Sequence, residues 1–137
     1  MQVQELMTST VESIRPDATI KDAACKMRDQ DVGTLAVIDD GQLSGIITDR
    51  DICCLCVSED LDPAETEVCE IMSSDVTSCF SDQDINDAAQ IMEEMQIRRV
   101  AVINHDDTIA GMLSVDDLAR GSHNLAGEVL EATTSVH

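Results

Sequence analysis

Aromatic side chains are almost missing from this sequence. Among 137 residues there is one phenylalanine, Phe80, and neither tryptophan nor tyrosine. Nucleic-acid surfaces that stack bases need aromatic faces, so that mode of binding is excluded. Basic residues are scarce too: 8 lysines and arginines face 28 acids, for a formal charge of −20. Such a surface repels phosphate backbones, which argues against any nucleic-acid partner. An anionic small molecule would have to sit where the few arginines gather. No apolar run approaches the roughly 18 residues that a membrane-spanning helix needs. The opening residues, MQVQELMTST, lack the basic start and apolar stretch of a signal peptide. The expectation is a cytoplasmic protein without a membrane partner, whose six cysteines are free thiols.

What is present is enough to fold. Hydrophobic residues make up 43% of the chain, so a core must be built from Ile, Val, Leu, Met, Ala and Cys. The length suits one compact domain, or two very small ones sharing a core.

The chain also contains itself twice. Met7, Ser9, Val11 and Ser13 recur sixty-five positions later as Met72, Ser74, Val76 and Ser78. Asp17 and Ile20 recur as Asp82 and Ile85, Asp-Ala-Ala at 22–24 returns at 87–89, and Ala-Val-Ile at 36–38 returns at 101–103. One inserted residue later, Gly45, Thr48 and Asp51 align with Gly111, Ser114 and Asp117. A repeat of this kind sets the architecture.

Each copy reads as strand, helix, strand, strand, helix. In the first, an extended piece at 11–14 precedes Pro16. Ile20, Ala23, Ala24 and Met27 then fall on one helical face, with Asp17 or Thr19 as the cap. Residues 34–38 form a buried strand, 39–42 a turn in which Gly41 supplies positive φ, 43–48 the return strand and 49–57 a short helix. The second copy predicts strands at 76–79, 99–104 and 108–113, with helices at 84–95 and 115–120. The fold class is α/β (α+β), two β-α-β-β-α repeats packed about a pseudo-twofold axis, because one such unit cannot cover its own sheet. The organisation expected is repeat 1 with the N-terminal segment at 1–57, an acidic linker at 58–68, repeat 2 at 69–120 and a helical tail at 121–137.

The recurring element is Gly-apolar-apolar-Thr/Ser-x-x-Asp, GIITDRD at 45–51 and GMLSVDD at 111–117. Glycine permits close approach. The hydroxyl falls where strand gives way to helix, beside free backbone N–H groups. The aspartate follows about one turn later, and a carboxylate accepting two hydrogen bonds from a vicinal diol is a good holder of ribose. A plain N-cap with a first-turn acid explains one copy; two copies at matched positions favour a binding role.

With this motif, and with VGTLAVIDDGQLSGIITDRDI and QIRRVAVI, the chain resembles a pair of cystathionine-β-synthase (CBS) domains, a Bateman module, of the stand-alone two-repeat kind. The resemblance covers about residues 6–120. It implies a sensor without catalysis, often a homodimer, that signals to a regulated partner protein. It implies adenosine ligands in clefts between the repeats: AMP, ADP or ATP, less often NAD or S-adenosylmethionine. Carried over by position, Thr48 and Asp51 would hold one ribose, with Asp75, Thr77, Ile97 and Arg98 completing that site. Ser114 and Asp117 would hold the other, completed by Thr10, Glu12, Val32 and Gly33. Arg50, Arg98 and Arg99 would meet phosphates. Asp75 and Glu12 disfavour a triphosphate, so AMP or ADP is expected. The chain departs from the family in having Ala36 and Ala101 where proline is common.

The cysteines admit two readings. Most serve as small, soft core residues in an aromatic-poor interior. Alternatively Cys53 and Cys56, at CxxC spacing, make a redox- or metal-responsive sensor, although no second CxxC completes a zinc set. No nucleophile–base–orienter set and no P-loop appear, so no enzyme activity is expected.

Overall fold

The computed structural model describes residues 1–134; the end of the expected tail, through His137, lies outside the described residues. Two compact units emerge, each with its own core. One comprises Val11–Val76, the other Thr77–His137 together with Met1–Thr10.

In the Val11–Val76 unit, β1 (Ser13–Ile14) runs parallel to β2 (Thr34–Asp39), which pairs antiparallel with β3 (Gln42–Thr48). Helix α2 (Ile20–Gln30) begins at Thr19, whose hydroxyl accepts the Asp22 N–H while the Asp22 carboxylate accepts the Thr19 N–H. That reciprocal cap satisfies two orphan donors of the first turn. Helix α2 ends at Asp31 in the left-handed region, φ 55°. The β2–β3 hairpin turns through Asp40 and Gly41, both at positive φ, as expected for a two-residue loop. The short helix α3 (Asp49–Asp51) continues as a π-helical turn over Ile52–Val57. Ile20, Ala23, Met27, Leu35, Val37, Ile47, Cys56, Val68 and Ile71 form the core.

The other unit repeats this plan. Strand β4 (Ser78–Phe80) is parallel to β5 (Arg99–Ile103), and β5 is antiparallel to β6 (Ile109–Ser114). Helix α4 (Ile85–Met95) is capped by Asp84 and ends at Gln96, again with φ 55°. Helix α5 (Val115–Gly121) follows β6 directly. Both hairpins carry a register shift at the same place, Val37/Ile38 and Val102/Ile103.

Three features differ from the sequence reading. First, the N-terminal residues belong to the compact unit of the second repeat. Helix α1 (Val3–Leu6) buries Val3 in the core of the second unit, and Thr8 exchanges backbone hydrogen bonds with Met112 at 2.9 and 3.0 Å. The equivalent residues at the start of repeat 2 behave alike: Ser73 exchanges hydrogen bonds with Ile46 of β3, both 2.9 Å. Each third strand is thus flanked by the segment that opens the other repeat. Second, the acidic stretch 58–68 is no free linker. Ile20 N–H donates to Thr66, Lys21 to Pro63 and Val68 to Ala18, and Thr66 is buried. Third, the helical tail, α6 (His123–Thr134), makes the two first helices unequal: it packs on α4 and α5 and buries Ala126 and Val129. Ala89 of α4 is buried in that core, whereas its repeat-1 counterpart Ala24, expected on the core face, is exposed because nothing like α6 covers α2 in its unit.

Candidate ligand-binding motifs

Both copies of the Gly-x-x-Thr/Ser-x-x-Asp motif bend the chain from strand into helix in the same way. Thr48 accepts the Asp51 N–H at 3.1 Å and its own N–H donates to Asp51 Oδ2 at 2.9 Å. Ser114 accepts the Asp117 N–H at 3.2 Å and donates its N–H to Asp117 Oδ2 at 2.9 Å. The spacing of three is what lets cap and carboxylate reach each other. The glycine three residues before each hydroxyl marks the close approach of the flanking segment. A Cβ at Gly45 would stand 2.8 Å from the Ser73 carbonyl oxygen; one at Gly111 would stand 2.5 Å from that of Thr8.

Around the aspartates the two copies part. Asp51 is half-buried and joins no ion pair among the described residues. The Asp117 side chain is only 7% exposed. Its Oδ1 accepts a charged hydrogen bond from Arg120 Nη2 and a longer one, 3.4 Å, from the Thr8 hydroxyl. Arg120 Nη2 also donates to the Leu6 carbonyl at 3.3 Å. Thr8 and Arg120 are neighbours of Asp117 that the motif reading missed. The signal for Arg120 was present, one turn beyond Asp117; Thr8 becomes visible only once the N-terminal segment is seen to lie along β6.

The other expected site residues divide between the units. Glu12, Val32, Gly33, Arg50 and Asp75 belong with Thr48 and Asp51; Thr10, Thr77, Ile97, Arg98 and Arg99 belong with Ser114 and Asp117. Gly33 is beside the first motif: its carbonyl accepts the Asp49 N–H at 2.9 Å, and a Cβ there would meet Asp49 Oδ2 at 2.9 Å. The Arg98 carbonyl accepts the Val115 N–H in the same manner, but its Nε donates to Thr133 of α6 at 3.1 Å. Arg99 is the strand partner of Ser114. Arg50 is exposed beside Asp51.

A cavity of about 740 Å³ lies at the hairpin end of the first sheet, lined by Ile14, Arg15, Asp17, Lys26, Ile38 and Asp40 among others. It is not at either motif. Arg15 is engaged by Asp17 at 3.0 Å, and Lys26 by the Ser13 carbonyl and Glu12.

The cysteines separate rather than converge. Cys53 and Cys54 are exposed, whereas Cys56 is fully buried, its thiol 3.6 Å from the Leu61 carbonyl. Only Cys56 and Cys79 are core residues, and burial pushes the Cys79 thiol up to about 11. No group of three or more His, Cys, Asp or Glu placed to hold a metal occurs among the described residues. Likewise, no described helix is long and apolar enough to cross a membrane.

The CBS domain family is matched twice, at residues 3–58 and 68–124. The chain therefore belongs to the CBS-domain proteins and is a tandem pair of such domains. It is 34% identical over 130 residues to the CBS domain-containing protein YhcV of Bacillus subtilis (strain 168), covering 93% of this chain and 91% of that one. A crystal structure of Hypoxic Response Protein I with two coordinated zinc ions superposes with a TM-score of 0.79 at 30% identity, over 89% of this chain and 99% of that one. The CBS domain protein PAE2072 from Pyrobaculum aerophilum, complexed with AMP, shares the fold with a TM-score of 0.80 at 23% identity, over 95% and 98% of the two chains.

Proposed function

We propose that this CBS pair is a regulatory module that binds an adenosine ligand, AMP or ADP in preference to ATP, and has no catalysis of its own. The observation that carries the reading is Asp51, a half-buried carboxylate one turn after Thr48 and without a counter-ion among the described residues. A carboxylate so placed has lone pairs to offer the two hydroxyls of a ribose. AMP is the ligand of PAE2072, a protein of the same fold. The preference against a triphosphate rests on charge: at −20, with exposed Asp75 and half-buried Glu12 among the expected contacts, each added phosphate costs electrostatic work. Ligand binding would shift the module between shapes that a partner protein or a second copy reads. NAD and S-adenosylmethionine are the remaining adenosine ligands of this reading.

The test is isothermal calorimetry with AMP, ADP, ATP, NAD and S-adenosylmethionine on the wild type and Asp51→Ala. The expected result is AMP or ADP binding that Asp51→Ala weakens by about tenfold or more, the worth of charge-assisted hydrogen bonds. Absence of binding to all five ligands would refute the reading. The zinc ions of Hypoxic Response Protein I are a property of that protein. Elemental analysis of the freshly purified chain checks the metal alternative, which the divergence of Cys53 and Cys56 does not favour.

A further inference from the structure

We infer that Arg120 is a built-in competitor for the second motif, so that the chain takes one nucleoside ligand, at Thr48 and Asp51, and holds the Ser114/Asp117 motif shut. This rests on the ribose-binding role proposed above and deepens it.

A carboxylate offers about four acceptor positions, two on each oxygen. A ribose presents two vicinal hydroxyls, so a carboxylate that holds both must keep two positions open. Asp117 has three occupied: Oδ2 by the Ser114 N–H, and Oδ1 by Arg120 and by Thr8. One remains, and the side chain is nearly withdrawn from solvent. Asp51 spends one position, on the Thr48 N–H. No side chain of its unit donates to its Oδ1 among the described residues.

The cause of the difference is legible in the repeat. At the offset that aligns Asp51 with Asp117, Arg120 aligns with Cys54. Both follow the aspartate by three residues, the helical spacing at which side chains meet. In the second copy that position carries a guanidinium; in the first it carries an exposed, neutral thiol. Arg120 also holds the Leu6 carbonyl, and Thr8 comes from the same N-terminal segment. The latch is therefore made jointly by α5 and the chain's own first residues. Opening the second motif requires Arg120 to leave Asp117. The role of Cys54 is then simply to stand where a cation would close the first motif.

Calorimetric stoichiometry with AMP tests this on the full chain, in the wild type, Arg120→Met, Arg120→Met with Asp117→Asn, and Cys54→Arg. The expected results are one equivalent for the wild type and a second equivalent on Arg120→Met that disappears with Asp117→Asn. Cys54→Arg is expected to weaken the wild-type site by about tenfold or more, with an unchanged melting temperature. The Cys54→Arg arm does not depend on Arg120 variants folding well. Two equal sites in the wild type, or full binding by Cys54→Arg, would overturn the latch while leaving the nucleotide reading intact. No binding by the wild type or any variant would remove the nucleotide reading and the latch with it.

Discussion

The Ser73 carbonyl oxygen lies 2.8 Å from the point where a Cβ on Gly45 would stand, and 2.9 Å from the Ile46 N–H that donates to it. The glycine is what lets the segment that opens repeat 2 lie flat on β3. Gly45→Ala is therefore expected to destabilise its unit by about 1–3 kcal/mol, the usual cost of overpacking. Gly111→Ala, with the Thr8 carbonyl closer still, is expected to cost at least as much. Urea titration measures both. Gly127→Ala is the control, since nothing stands near its added Cβ; a loss there as large as at Gly45 would contradict the packing account.

The uneven covering of the two first helices makes a paired prediction. Ala89→Lys puts a charge into the core beneath α6, where Ala89 is 1% exposed. A loss of roughly 2 kcal/mol or more is expected, because an unpaired buried cation is costly. Ala24→Lys, at the matching but exposed site, is expected to change stability by no more than about 0.5 kcal/mol. Equal effects, read by thermal melting, would mean that α6 does not cover α4 in solution.

Thiol accessibility separates the six cysteines. Brief labelling of the native protein with iodoacetamide, read by mass spectrometry, is expected to modify the exposed Cys53, Cys54 and Cys69 and to spare Cys56 and Cys79 until denaturant is added. Rapid native labelling of Cys56 would contradict its place in the core.

Cys79 also ties stability to alkaline pH. Burial raises its thiol from 9.0 to about 11. The unfolded chain loses that proton first. The favourable contribution is thus complete below 9.0 and fades as the pH rises toward about 11. The melting temperature is expected to fall across that interval, and to fall less in Cys79→Ala when each protein is compared with its own value at neutral pH.

On the acid side, Asp82 responds in the opposite sense. Its hydrogen bond with His105, 2.9 Å away and stacked on Phe80, holds the carboxyl below its ordinary value. That contribution is present above the ordinary carboxylate value and is lost as the pH drops through the lowered one. His105→Ala is expected to make the protein unfold at a higher pH on acid titration followed by circular dichroism.

Much of the fold was legible because local chemistry and the repeat agree. The apolar spacing of Ile20, Ala23 and Met27 specified a helix that tertiary contacts then accepted. The alternation of turn and apolar run around Gly41 specified the hairpin. The Thr48–Asp51 and Ser114–Asp117 caps are spacing-of-three contacts within a single turn, so their geometry follows from the sequence. The packing of Met1–Leu6 was not legible, since its partners Gln83 and Ser81 lie about eighty residues away and nothing local names them. Nor was the state of the two aspartates.

By itself, then, the sequence determined two repeats, their elements, an acidic surface poor in aromatics and a doubled strand-to-helix motif, because each depends on periodicity, composition or neighbours within one turn. Tertiary structure alone decided that the N-terminal segment belongs with the second repeat, that α6 buries Ala89 while Ala24 stays in water, and that Asp117 is held by Arg120 and Thr8 while Asp51 has no counter-ion among the described residues. Those outcomes depend on which distant segment lies against a given face, and burial and hydrogen-bond saturation are settled only there.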